Sequence, residues 1–139
     1  MEHQYEELTR ELHENFSANN FDRCVEVADE AVEVKAHAFG LTFRGREEFR
    51  NFMMGFKGAF PDMRIDYRNV VNSNNKIAVQ FFAHGTHTGE LQTPGGVIPP
   101  TGREVTLEVA EFLEWEDGKL KRIENYQDAG SLMRQLGLM

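Results

Sequence analysis

Cysteine is nearly absent from this 139-residue chain: Cys24 stands alone, so no internal disulfide is available and packing has to hold the fold. It falls at a helix-like position and reads as a small core residue. Positive charge is scarce as well, with 15 Lys and Arg against 23 Asp and Glu and a formal net charge of -8. No basic cluster offsets that balance, which argues against nucleic acid as a partner, because such binding rests on basic surface that releases counterions. No apolar run approaches the length needed to cross a bilayer. The acidic first residues, 1 to 7, lack the basic and apolar regions of a signal peptide. The expectation is therefore a cytoplasmic protein with no membrane partner. Internal repeats and low-complexity segments are missing. So are a nucleophile elbow and a phosphate loop: residues 85 to 89 have glycines but neither the lysine nor the following helix.

What is present is ordinary for one globular domain spanning residues 1–139, with 40% hydrophobic and 27% charged residues. Tyr5, Leu8, Leu12 and Phe16 recur at steps of three and four, predicting an amphipathic helix over residues 3 to 16. Asp22 is placed to cap a short second helix holding Cys24, Val25 and Ala28. Alternation of Val32, Val34, Ala36 and Ala38 with polar residues predicts a strand with one buried face, followed by a loop over 40 to 45. Phe49, Phe52, Met53, Phe56 and Phe60 stripe a third helix that Pro61-Asp62 stops. Such rings pack a core, and in a hollow fold they also wall a pocket, which makes Phe52 and Phe56 candidate substrate contacts.

From Met63 onward the pattern is strand: 65 to 71, 76 to 84, 105 to 115 and 119 to 128, with a short terminal helix after Asp128. Residues 86 to 102 read as a long loop or irregular edge, the kind of segment that serves as a rim or lid. Helices first and antiparallel strands after them make the class α+β. Asp117-Gly118 predicts a two-residue hairpin loop that pairs Glu116 with Lys119. An unbroken register then sets Glu111 opposite Glu124, Val109 opposite Tyr126 and Leu107 opposite Asp128. It places Glu111, Arg122, Glu124, Tyr126 and Asp128 on the apolar inner face, and Ala110, Phe112 and Ile123 on the outer one. Carboxylates on a desolvated face have raised pKa values and are competent general bases for a proton next to a carbonyl.

Asp128 is accordingly the first candidate for the base, with His87, Tyr126 and Glu111 as orienting or oxyanion-stabilising groups, and alternatives stand beside them. Asp128 followed by Ala129-Gly130-Ser131 is also a good helix cap, and Glu111 is also placed to form a buried ion pair with Arg122. Tyr126 is either packing or a hydrogen-bond donor to an enolate. His84, His87 and Glu90 invite a metal, but an i, i+3 pair on a strand points to opposite faces, so no metal site is expected. His87, between Gly85 and Gly89, is either a pocket residue or a loop-stabilising one. His37 ends the first strand on the polar phase and reaches a pocket only through a bulge.

The order and spacing of Phe60-Pro61-Asp62-Met63, Gly85-Thr86-His87-Thr88-Gly89, Pro99-Pro100-Thr101-Gly102-Arg103, Glu116-Asp117-Gly118-Lys119 and Asp128…Leu132-Met133-Arg134-Gln135-Leu136-Gly137 resemble the SnoaL-like polyketide cyclases. These belong to the nuclear transport factor 2-like (NTF2-like) superfamily. The resemblance implies a cone-shaped barrel with three N-terminal helices packed on a strongly curved, mainly antiparallel sheet. It implies a pocket for a hydrophobic small-molecule ligand, no cofactor, and a homodimer or homotetramer formed through the open sheet face. Members of that family close a ring by intramolecular aldol condensation, with a catalytic aspartate on the last strand. Asp128 matches one acidic family position and Asn125 another, three residues earlier, and the sequence leaves open which of the two carries the base. His87 falls at a recurrent family histidine. Arg103 matches a family position and is expected to pin the long loop by a salt bridge.

Overall fold

Alternating apolar and polar side chains decide the larger part of the architecture. The computed structural model describes residues 4–139, so residue 3 of the predicted first helix lies outside the described residues. The chain runs α1 (Gln4–Ser17), α2 (Phe21–Glu26), β1 (Ala28–Ala36), a 3-10 turn (His37–Phe39), β2 (Leu41–Arg44), α3 (Gly45–Ala59), β3 (Arg64–Ser73), β4 (Lys76–Thr86), β5 (Leu91–Thr93), β6 (Gly96–Ile98), β7 (Glu104–Glu116), β8 (Lys119–Gln127) and α4 (Ala129–Gln135). Six strands form one sheet in the order β2-β1-β8-β7-β4-β3, and β5 pairs with β6 apart from it. Among the described residues only the β1–β8 pairing is parallel. The sheet stays open, with β2 and β3 as its edges. This is the α+β class read from the sequence. Among the described residues, no helix is long and apolar enough to cross a membrane.

Helices α1 and α3 cover the inner face, α1 against β3 and β4 and α3 against β1 and β2. The aromatic stripe of α3 turns Phe49 and Met53 into the core, and its charges follow the helix dipole: Glu47 and Glu48 in the first turn, Lys57 in the last. Lys57 is buried, and its Nζ donates to Ser17 O at 3.1 Å and Met63 O at 2.9 Å, joining the ends of α1 and α3 to the start of β3. Burial holds its pKa below the usual lysine value, against the opposing pull of Asp62. On the α1 side Trp115 is fully buried, stacks on Tyr5, and donates to Thr9 Oγ1 at 3.0 Å.

Three local expectations are corrected. Asn20, not Asp22, holds the N-cap position of α2, without a side-chain capping bond, and Asp22 instead pairs with Arg50. Residues 41–44 are a strand, because they complete the edge beside β1. The segment 86–102 is no free loop. The Thr88 and Gly89 N–H groups donate to Ala59 O at the end of α3, and a Cβ on Gly89 would sit 1.9 Å from Gly58 O, so only glycine allows this approach.

The correction that matters most is in the terminal hairpin. Its loop is as expected: Asp117 and Gly118 both have positive φ, and Glu116 pairs with Lys119. Beyond Trp115↔Leu120, however, Glu114 pairs with Arg122, leaving Lys121 as an extra residue. Lys121 Nζ donates to Asp29 Oδ1 at 2.8 Å, and Asp29 also accepts from the Ala31 N–H where β1 shifts register. One inserted residue reverses every side chain after it. Glu111 therefore lies opposite Asn125 rather than Glu124, and Val109 opposite Gln127 rather than Tyr126. Ile123, expected outside, is buried.

Candidate functional site

Between the helices and the sheet lies a cavity of about 60 Å3, measured as the space open to the centre of a water molecule; on that measure one water needs about 10–15 Å3. Five phenylalanines, Phe16, Phe49, Phe52, Phe56 and Phe81, are among its walls, so Phe52 and Phe56 stand where the sequence expectation put them. Its polar lining is confined to His13, Glu111, Asn125 and Gln127.

Glu111 is 5% exposed, and a carboxylate there needs partners. Oε1 lies 2.7 Å from His13 Nε2, and Oε2 accepts from Asn125 Nδ2 at 2.7 Å. Strand β7 supplies Glu111, β8 supplies Asn125 by virtue of the bulge, and α1 brings His13 in beside Leu12 and Phe16. Behind His13, its Nδ1 lies 2.5 Å from Tyr67 Oη, which also reaches Thr9 O at 3.2 Å. Burial first, and the Glu111 charge second, push the Tyr67 hydroxyl above its ordinary pKa, so it stays a neutral phenol.

Tyr67 thus has two acceptors within reach, and the heavy atoms fit two protonation states. With the Tyr67 O–H aimed at His13 Nδ1, His13 Nε2–H donates to an ionised Glu111. With the Tyr67 O–H turned to Thr9 O, Nδ1–H donates to Tyr67 and Nε2 faces a protonated Glu111. The two differ by one proton, the tautomer of His13 and a hydroxyl rotation. Placing a proton on Glu111 therefore requires the His13 tautomer and the Tyr67 hydroxyl to change with it.

The other sequence candidates lie elsewhere. Asp128 is outside the cavity, its side chain 68% exposed, and caps α4 by accepting from Ser131 N–H at 3.1 Å. The register reversal put it there. Tyr126 and His37 stack on each other on the outer face, ring centroids 4.2 Å apart, with His37 Nε2 3.1 Å from Glu124 Oε1. His87 is fully buried but does not line the cavity. Its Nδ1 accepts from Thr101 N–H at 3.2 Å and lies 2.9 Å from Thr101 Oγ1, fastening the two ends of the β5–β6 segment. Desolvation holds its pKa below the ordinary histidine value. No residue of 88–103 lines the cavity, so the segment is no lid over it. Arg103 packs its guanidinium on Gly137 and makes no ion pair among the described residues. Glu111 and Asn125 are the polar sequence candidates that meet in the cavity, and Arg122 is outside it; the structure adds His13 and Gln127 to the lining, with Tyr67 behind His13. Among the described residues, no group of three or more His, Cys, Asp and Glu side chains is placed to hold a metal ion.

A family model described as "SnoaL-like polyketide cyclase" matches residues 6–136. None of the curated proteins matches the chain. Among solved structures, a candidate SnoaL-like polyketide cyclase from Jannaschia sp. CCS1 is 19% identical with a TM-score of 0.87, over 99% of this chain and 94% of that one. AclR, a candidate hydroxylase from Streptomyces galilaeus, is 19% identical with a TM-score of 0.84, over 100% and 88%. A hypothetical protein of ketosteroid isomerase-like fold from Catenulispora acidiphila, solved with trimethylamine, is 14% identical with a TM-score of 0.75, over 91% and 89%. At such identities the likeness shows the fold.

Proposed function

The chain belongs to the SnoaL-like polyketide cyclase family, and from that premise we propose that it is a cofactor-independent acid–base catalyst, an aldol cyclase or isomerase, for a small hydrophobic carbonyl compound. Glu111 is the base that removes a proton next to the carbonyl. His13 holds the carboxylate from one side and Asn125 from the other, while the phenylalanine walls of the cavity take the hydrocarbon body. The observation that carries this reading is the buried Glu111 carboxylate between His13 Nε2 and Asn125 Nδ2, each at 2.7 Å, facing an apolar cavity. A positioned acid–base group contributes roughly 100- to 10,000-fold to rate.

The test uses α-proton exchange of ketone probes, cyclohexanone and 2-tetralone, in D2O followed by NMR. The wild type is expected to accelerate exchange, and Glu111→Gln to lose at least about 100-fold of it while keeping the native circular dichroism. No acceleration with either probe, or full activity in Glu111→Gln, overturns the reading.

A non-catalytic binding module is the second reading. Both Glu111 oxygens already hold a donor, as a purely structural polar cluster would. Ligand binding without exchange selects it. We also propose a homodimer or homotetramer through the outer sheet face, where Phe112 is 53% and Tyr126 41% exposed.

A further inference from the structure

The polar groups of the cavity form an oriented ladder. Glu111 Oε2 can only accept when ionised, so the Asn125 group facing it at 2.7 Å is Nδ2. That fixes Asn125 Oδ1 on the other side, where it accepts from Gln127 Nε2 at 3.1 Å. The remaining end of the ladder is therefore Gln127 Oε1, an acceptor. It is buried from solvent and has no hydrogen-bond partner among the described residues, although Gln127 lines the cavity. Buried acceptors without a partner are rare and cost stability, which in a ligand site marks the place of a missing donor.

We propose that Gln127 Oε1 receives a hydroxyl hydrogen from the ligand, so that the cavity selects apolar compounds bearing a phenolic or enolic hydroxyl. This deepens the reading of the cavity as a carbonyl-compound site and rests on it. A β-dicarbonyl compound in its enol form, or a hydroxyaryl ketone, carries both groups: a carbonyl whose neighbouring proton Glu111 can reach, and a hydroxyl for Gln127. The distance along the ladder sets their spacing, because Asn125 and Gln127 are alternate residues on one strand face. A ligand lacking the hydroxyl leaves the acceptor unpaired, and sites built around a hydrogen bond discriminate strongly on that ground.

Phenol and toluene, alike in size, isolate the effect. Binding of each to the wild type and to Gln127→Met is followed by NMR chemical-shift titration. The ratio of phenol to toluene affinity is expected to fall about tenfold or more in Gln127→Met. In the wild type, with glutamine labelled at the side-chain carbonyl carbon, phenol and not toluene is expected to shift the Gln127 signal, a reading that stands even if the variant does not fold. An unchanged affinity ratio in a folded Gln127→Met, or a Gln127 signal indifferent to phenol, overturns the proposal while leaving the cavity a ligand site. Binding of neither probe to the wild type overturns both.

Discussion

Glu111 and Asp128 are two acidic residues near the same hairpin with opposite circumstances. Glu111 is removed from water and held by His13 and Asn125, both of which line the cavity. Asp128 stands in solvent and spends its side chain on the first turn of α4. Replacing Asp128 with alanine is expected to cost about 1 kcal/mol of stability, the usual value of a helix cap, measured by urea unfolding, and to leave ketone exchange unchanged. A drop in exchange with no loss of stability would reverse those roles. Tyr67 matters at this scale for what it does not do: kept neutral by burial, it holds His13 by a hydrogen bond rather than by charge.

At the scale of elements, the Lys121 bulge is what makes the site. Without it β8 would turn Arg122, Glu124 and Tyr126 inward and Ile123, Asn125 and Gln127 outward. Deleting Lys121 removes the extra residue and its ion pair with Asp29 but leaves Glu114 opposite Arg122, so Ile123, Asn125 and Gln127 still face inward in a now regular ladder. The expected result is a folded variant that still binds ligand in the cavity, read by circular dichroism and NMR titration; loss of cavity binding in a folded variant would show that the bulge itself, and not the side-chain parity it sets, makes the site. The same feature explains how far the sequence could be read. Alternation and turn residues gave the order and type of most elements, the Asp117-Gly118 loop included. They gave Glu111 and the rings of α3 too, since those lie where a regular pattern holds. A bulge adds one residue without any compositional mark, because Lys121-Arg122 looks like any exposed pair on a strand. Parity was therefore lost from Arg122 on, and Asp128 and Tyr126 were read as inward. His13 had a faint signal: with Thr9, one turn before it, it forms a polar row beside the apolar stripe of α1, and both are buried. The short pair β5–β6 was hidden by its glycines and prolines.

At the scale of the whole molecule, an open sheet wraps a helix-covered hollow and leaves its other face bare. Phe112, Tyr126 and His37 form an aromatic patch there, Phe112 edge-on to Tyr126 at 6.1 Å. Association through that face predicts a dimer or tetramer mass in sedimentation, reduced to a monomer by Phe112→Asp; a monomeric wild type contradicts it. The hollow keeps the proposed acid–base groups on one wall, where α1, β7 and β8 meet, and gives the remaining walls to hydrocarbon. The measurement that tests this most directly is the rate of 2-tetralone α-proton exchange in D2O for Glu111→Gln and Asp128→Ala side by side. Loss of at least about 100-fold in the first and a wild-type rate in the second is the predicted result; the opposite order would place the base outside the cavity and contradict the account.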